Sequence, residues 1–390
     1  MRRSEHRSTR RTLLGAAGAV PVAAGIALTA DAAHADPGRV PKSLKPGGEL
    51  DRHVRQLAEN GQFSGTFGVY HRGRRTLRRS YGLANVEAGV ANEDDTIYAL
   101  ASVTKALTGL AIGQLVERGD VAYHQTVGHY LDGFAAEVAD RVTVHHLLTH
   151  TSGLGDYMRL DGYLDEAAEW ASEAECWDGL MRYIREDTLQ AAPGTGDVYS
   201  NTGFSILGAI IAAASGQTYY DYVREHVFAP AGMADSDFCT RPEWTENPRI
   251  AHPYAPIGEE GERIDVVADH VYLGGPAGGA FSTVDDMHRL TAAPAAHDLI
   301  GAEHLRLLTG ASSPKPPLGG TDTAFGTYFG PGAITNGTWV HQISGGSNMG
   351  LSADLQWFPD DEWTVVALSH WEQRTSGPVV AESREIIAAL

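Results

Sequence analysis

Lysine is nearly absent from this chain. Only four of its 390 residues are lysine (Lys42, Lys45, Lys105 and Lys315), and the remaining basic residues are arginine. Basic charge as a whole is scarce, with 30 Lys and Arg against 49 Asp and Glu and a net charge of -19. Nucleic-acid binding needs a basic footprint, so that class of partner is excluded. Adhesion to an anionic membrane is excluded on the same ground, and the acidity serves mainly solubility. Cysteine is limited to Cys176 and Cys239, too few for a disulfide scaffold; one bridge or two free thiols remain open. The chain has no G-x-S-x-G elbow, no P-loop and no dinucleotide fingerprint.

The one sustained apolar stretch is at the N-terminus. Arg2, Arg3, Arg7, Arg10 and Arg11 form a basic head, followed by an Ala/Gly-rich run from Leu13 to about Leu28. Gly15, Gly18, Pro21 and Gly25 interrupt that run, and Ala33-His34-Ala35 supplies a small-residue cleavage site. A spanning helix wants about 20 apolar residues, so the reading is a removed export signal over 1–35 with no stable membrane insertion after processing. Arg10-Arg11-Thr12-Leu13-Leu14 resembles a twin-arginine signal, which places the mature protein outside the cytoplasm. Residues 36–47 read as a linker and 48–390 as the folded domain.

Hydrophobic periodicity divides that domain. Ser64–Tyr70 and Thr76–Tyr81 flank a turn at His71–Arg74 and predict an antiparallel hairpin. Near the C-terminus, Thr338–Ser344, Leu351–Phe358 and Glu362–Leu368 read as strands, and Pro378–Leu390 as a closing helix. Between them, Thr104–Arg118, Val142–Leu148, Ala168–Glu186, Phe204–Ala214 and Tyr219–Phe228 are helical by pattern. The expectation is an α+β fold. One antiparallel sheet is built from N- and C-terminal strands and flanked by helices, with a mostly helical insertion over about 120–275. A cleft where helices abut the sheet is the expected place for a site.

Lys105 lies three residues after Ser102, in Ala101-Ser102-Val103-Thr104-Lys105. On a helix such positions share a face, with Cβ atoms about 5–6 Å apart. A serine hydroxyl is a poor nucleophile until a base takes its proton. A lysine can be that base when burial keeps it neutral. Three further stretches carry polar groups toward a cleft. Tyr199-Ser200-Asn201 follows a Pro/Gly-rich loop; a tyrosine can shuttle a proton, and an asparagine amide can hold both a substrate carbonyl and the lysine. Ser200 and Asn201 are equally good helix caps. Leu147–Leu154 reads Leu-Leu-Thr-His-Thr-Ser-Gly-Leu. Its His150, with His145 and His146, lacks the companion ligands a metal needs, and a hydrogen-bonded turn is the better reading. Ser344-Gly345-Gly346-Ser347 continues through Asn348 and Met349 to Gly350, and lets backbone approach a ligand and offer N–H groups to an oxyanion.

Taken together these motifs resemble the serine β-lactamase and penicillin-binding protein superfamily, in its class C-like branch. That branch also holds DD-carboxypeptidases, D-aminopeptidases and esterases. Tyr222–Met233 and Gly275–Thr283 extend the likeness, which runs from about Leu50 to His370. The resemblance implies that Ser102 forms an acyl-enzyme, Lys105 takes its proton and Tyr199 relays it. It implies that Asn201, Ser344, Gly345, Gly346 and Ser347 hold substrate, with the backbone N–H groups of Ser102 and Ser347 as oxyanion hole. No metal and no organic cofactor is implied. The substrate would be a small-molecule or peptide ester or amide. The family's third motif carries a Lys or His that this chain lacks: counting back from Gly350 reaches Ser344, and the alternative register Ile343-Ser344-Gly345 is uncharged too. That cation helps hold a substrate carboxylate, so an exported hydrolase of D-alanyl-D-alanine carboxypeptidase or esterase type is expected to make a weak anionic demand. A transacylase serving small-molecule biosynthesis and a non-catalytic binding protein on the same scaffold are the competing readings.

Overall fold

The computed structural model describes residues 40–258, 262–316 and 323–390. The expected export signal lies outside the described residues. From Val40 the chain is already packed. A short turn at Lys42–Leu44 buries Leu44 in the same apolar cluster as Leu50 and Val54, so the second half of the expected linker contributes to the core.

Eight strands form one antiparallel sheet: β1 (Gly65–His71), β2 (Arg74–Tyr81), β3 (Ser313–Lys315), β4 (Thr323–Gly326), β5 (Pro331–Thr335), β6 (Thr338–Ser347), β7 (Leu351–Phe358) and β8 (Trp363–Ser369). Their order is β2-β1-β8-β7-β6-β5-β4-β3. The N-terminal hairpin joins the C-terminal strands through β1 and β8, in register from Gly65 opposite Ser369 to His71 opposite Trp363. Side chains of a strand alternate between faces. On β8, Val365 and Ala367 therefore enter one apolar cluster, with Leu50 and Val54 of α1 (Glu49–Glu59). Val366 and Leu368 enter the other, with the helices of the middle of the chain. Both faces are covered, which is why β8 reads as an unbroken apolar run rather than an alternating one.

The helix labelled α2 (Thr104–Arg118) is the central one. It carries the expected stripe of Leu107, Leu110, Ala111 and Leu115, yet every residue from Thr104 to Leu115 is buried. Gly119, at φ 81°, ends it in the left-handed conformation that a glycine adopts without cost. The remaining helices used below are α3 (Val144–Leu148), α4 (Tyr163–Glu169), α5 (Glu173–Glu186), α6 (Asn201–Ser215), α7 (Val284–Ala295) and α8 (Gly377–Ala388).

Three segments differ from the periodicity reading. The helix expected over 168–186 is two helices, α4 and α5, divided at Trp170–Ser172. Ser172 caps α5 by accepting the Glu175 N–H at 3.2 Å, and the Trp170 ring lies on Gly179, where a Cβ would come within 2.1 Å of it. The helix expected over 219–228 passes at Arg224 into a π-helical turn that runs to Phe228. The strands β3 to β5 were not expected at all. Pro314 and Pro331 mask them, and proline is tolerated on an edge strand or at a strand's first residue.

Candidate active site

Ser102 sits in a tight turn, Ala101–Val103, that feeds directly into α2. Ala101 has φ 44°, a conformation costing a non-glycine residue about 1–3 kcal/mol. Gly345 of β6 lies against this turn backbone to backbone. A Cβ there would stand 2.5 Å from the Ser102 nitrogen and 2.8 Å from that of Val103. Gly345→Ala is expected to cost about 1–3 kcal/mol of stability, the usual range for overpacking, and to lower turnover with it. A thermal melt matching the unaltered protein would show that the turn is not held this way.

Helical spacing brings the Lys105 Nζ to 3.0 Å from the Ser102 Oγ. Nζ also donates to Asn201 Oδ1 at 2.8 Å and to the Ala277 carbonyl at 2.6 Å. A neutral amine has two N–H groups and one lone pair. Two carbonyl acceptors use both N–H groups, which leaves the lone pair for the Ser102 hydroxyl. Burial pushes the Lys105 pKa down to about 7, against a smaller upward pull from Asp156. No carboxylate forms an ion pair with Lys105 among the described residues.

Tyr199 ends the loop before α6, and Ser200 caps that helix by accepting the Gly203 N–H at 2.8 Å. The Tyr199 hydroxyl donates to Ser102 Oγ at 2.6 Å. Tyr199 is 54% exposed at the cleft, and desolvation pushes its hydroxyl pKa up to about 12. Tyr199 is thus a phenol beside a lysine that releases its proton near neutrality. His150 holds the loop in place. Its carbonyl accepts the Val198 N–H at 2.9 Å, its Nδ1 accepts the Ser200 N–H at 3.1 Å, and its ring lies 4.7 Å from the Tyr199 ring. Lys315 pairs with Asp197 and donates to the Thr149 carbonyl, tying the same loop to β3.

The structure gathers Ser102, Tyr199, Asn201, Ser344, Gly345, Gly346 and Ser347 around one cleft of about 900 Å³, with Lys105 beneath. The contact of Gly345 with the Ser102 turn favours the third-motif register Ile343-Ser344-Gly345. Ile343 is 3% exposed. His341 shares its face, fully buried against Trp357, and burial pushes its pKa down to about 3. That face of β6 therefore carries no cation. The Ser344 hydroxyl donates to Asp354, which also accepts from Ser376 at 2.5 Å; burial pushes the Asp354 carboxyl up to about 6.

Backbone groups of an antiparallel strand point alternately to its two neighbours. Asn336 and Gly337, at φ 49° and 84°, form a two-residue hairpin turn that makes Thr335 and Thr338 a bonded pair. Counting on by twos, Ser344 and Gly346 turn their N–H groups toward the side of β5, whose pairing has stopped opposite His341. The open edge thus offers the Gly346 N–H, one residue before the Ser347 that the motif count expected. Ser347 turns its own toward β7.

Several contributors were not singled out from sequence. The Ala277 carbonyl is a backbone group without a side-chain signature, although Gly275–Thr283 carried part of the family likeness. Asp156 and Asp354 are single carboxylates in unremarkable contexts. The other histidines of the Leu147–Leu154 region have protein partners: the His146 Nδ1 accepts the Thr143 N–H at the start of α3, and the His145 Nδ1 meets the Tyr328 hydroxyl at 2.8 Å. No cluster of three metal-ligating side chains occurs among the described residues. Cys176 and Cys239 are free thiols. No helix among the described residues is long and apolar enough to cross a membrane.

The family model described as Beta-lactamase matches residues 50–389. Esterase EstB of Burkholderia gladioli is 38% identical over 200 residues, 48% of each chain. The D-alanyl-D-alanine-carboxypeptidase/endopeptidase AmpH of Escherichia coli (strain K12) is 26% identical over 243 residues, 62% of this chain and 60% of that protein. The chain thus spans about half the length of the esterase. The crystal structure of a penicillin-binding protein from Bacillus halodurans superposes with a TM-score of 0.74 at 25% identity, over 86% of this chain and all of that one. The family model covers nearly the whole of the described domain, and this chain belongs to the Beta-lactamase family.

Proposed function

We propose that this protein is a serine hydrolase that cleaves an ester, or an activated amide, through an acyl-enzyme on Ser102. The Lys105 lone pair takes the Ser102 proton as Oγ bonds to the substrate carbonyl carbon. The oxyanion that results is held by the N–H of Ser102 and the Gly346 N–H of the open strand edge. The tetrahedral centre collapses, the carbon–oxygen or carbon–nitrogen bond to the leaving group breaks, and the proton passes from Lys105 through Tyr199 to the departing atom. Water then attacks the acyl-enzyme, gives its proton back along the same route, and frees Ser102 and the acid. Asn201 orients the substrate and holds Lys105.

The observation that carries this reading is the Lys105 amine. It is desolvated, its two N–H groups are engaged, and its lone pair faces the Ser102 oxygen. An ester is favoured over a carboxylate-bearing peptide or β-lactam because Ile343 stands where the family's cation would be. Asp156, Asp269 and Asp354 line the cleft against a single arginine, Arg374. The leader composition of residues 1–35 supports export, with 36–47 as connecting stretch and 48–390 as the hydrolase domain.

A fluorescent fluorophosphonate and a fluorescent penicillin, offered to the full chain and to Ser102→Ala, test it. The expected result is rapid serine-dependent fluorophosphonate labelling, turnover of p-nitrophenyl acetate, slow penicillin labelling, and neither label on Ser102→Ala. Absence of Ser102-dependent labelling and of ester turnover would leave only a binding role.

A further inference from the structure

The cleft has a second half that this chemistry does not use. Beyond Asn201 its wall is made by Tyr157, Tyr163, Trp170, Leu180, Tyr220 and Leu273, drawn from α4, α5 and the segments beside them. The wall is rigid. Tyr163 stands edge-to-face with Tyr157, Trp170 and Tyr183, at centroid distances of 5.0, 5.7 and 5.1 Å. Its phenols are neutral, and burial of Tyr157 and Tyr163 raises their pKa further. Two large apolar side chains remain open at its rim, Leu164 at 68% and Met158 at 37% exposure. Apolar groups left in water beside a nucleophile mark a surface that a ligand covers. The space is of drug-sized-ligand scale, far larger than an acetyl group needs.

We propose that this half is an acyl-group pocket, and that the physiological donor is an ester with a bulky apolar acyl group and no carboxylate beside the scissile bond. The inference rests on the hydrolase reading of Ser102. The acyl group stays on the enzyme through both half-reactions, whereas the leaving group departs after the first. Binding energy from a pocket continuous with Ser102 therefore serves both barriers only if the acyl group fills it. Asp156 lines the same cleft; it accepts the Met158 N–H at 3.2 Å, and its carboxyl disfavours an anionic donor there. Trp170, seated on Gly179, is a fixed part of this wall.

The test is a series of p-nitrophenyl esters with fixed leaving group, from acetate through butyrate to hexanoate and phenylacetate, on the full chain. Full burial gives roughly fourfold per methylene, so kcat/KM is expected to rise at least about thirtyfold from acetate to hexanoate. Leu164→Glu and Met158→Glu alter exposed rim positions that do not endanger folding. Each is expected to lower the hexanoate-to-acetate ratio about tenfold, and Leu180→Trp, which fills the wall, to lower it further. A ratio within threefold in the unaltered protein, or one unmoved by both rim variants, overturns the pocket while leaving the hydrolase intact. A rise with alcohol length in an acetate-ester series, without a rise with acyl length, overturns the acyl assignment. Failure to turn over any ester, with no Ser102 labelling, removes the hydrolase reading and the pocket with it.

Discussion

Lys105→Arg is expected to slow acylation by about 10³–10⁴-fold, at the upper end of what a positioned general base contributes. Guanidinium keeps its proton at any working pH, so the lone pair that faces Ser102 disappears. Its planar fork also cannot reproduce the separate contacts to Asn201 Oδ1 and the Ala277 carbonyl. Buried arginine could unfold the site, so Lys105→Met is the companion variant. It carries no charge, keeps the fold and loses the rate to a similar extent. The burst of p-nitrophenol in a single turnover measures both, and a near-normal burst rate in either would falsify the base assignment. The unaltered protein adds a pH signature. The folded-state pKa of Lys105, about 7, lies below the ordinary 10.5. Acylation should therefore climb as pH rises through about 7 and then level. Between those two values the unfolded chain holds a proton that the folded chain has released, so the Lys105 contribution makes folding more favourable as pH rises from about 7 toward 10.5. Below pH 7 the charged amine is a burden on the fold, which Lys105→Met relieves.

The residues proposed for this chemistry were legible to different degrees, for physical reasons. The Ser102–Lys105 pair follows from helical spacing alone, and α2 begins and ends where its apolar stripe and Gly119 place it. Strand β7 matches its expected limits because its alternating apolar and polar residues are bounded by Gly350 and by Pro359-Asp360. Register on β6 was not legible. Counting from Gly350 assumes a fixed turn length after the strand, and the Ser347–Leu351 hairpin holds one residue more than that count allows. The approach of Gly345 to the Ser102 turn, a tertiary contact, is what favours the register that puts Ile343 at the cation's place. Strand alternation counted from the Asn336-Gly337 turn in turn favours Gly346 over the expected Ser347 as the open-edge N–H. Likewise His150 reads from sequence as a residue in a turn. That it brackets Tyr199 by bonds to both neighbouring N–H groups depends on two loops, 150 and 198–200, meeting in space. The division of α4 from α5 was hidden because Trp170 fits a helical stripe as well as it fits the bend that seats it on Gly179.

Tyr199→Phe separates activation of the nucleophile from departure of the leaving group. Phenylalanine retains the ring that lies beside His150 and loses only the hydroxyl that donates to Ser102 Oγ. With its pKa pushed up to about 12, that hydroxyl is protonated throughout the working range, so its task is to give a proton and recover it from Lys105. The Lys105 Nζ, 4.9 Å from the Tyr199 ring centroid, is the charged partner formed in the first step. An alkoxide or amine cannot leave without a proton, whereas p-nitrophenoxide can. The expected loss is therefore about 10²–10³-fold on alkyl esters and amides, and about tenfold on p-nitrophenyl esters. The ratio of the two losses, measured as kcat/KM on matched acyl groups, is the diagnostic. Equal losses would place Tyr199 with Lys105 in activating Ser102, since that step does not depend on which group departs. A loss confined to the poorer leaving groups puts the phenol on the path of the proton that Lys105 gives back.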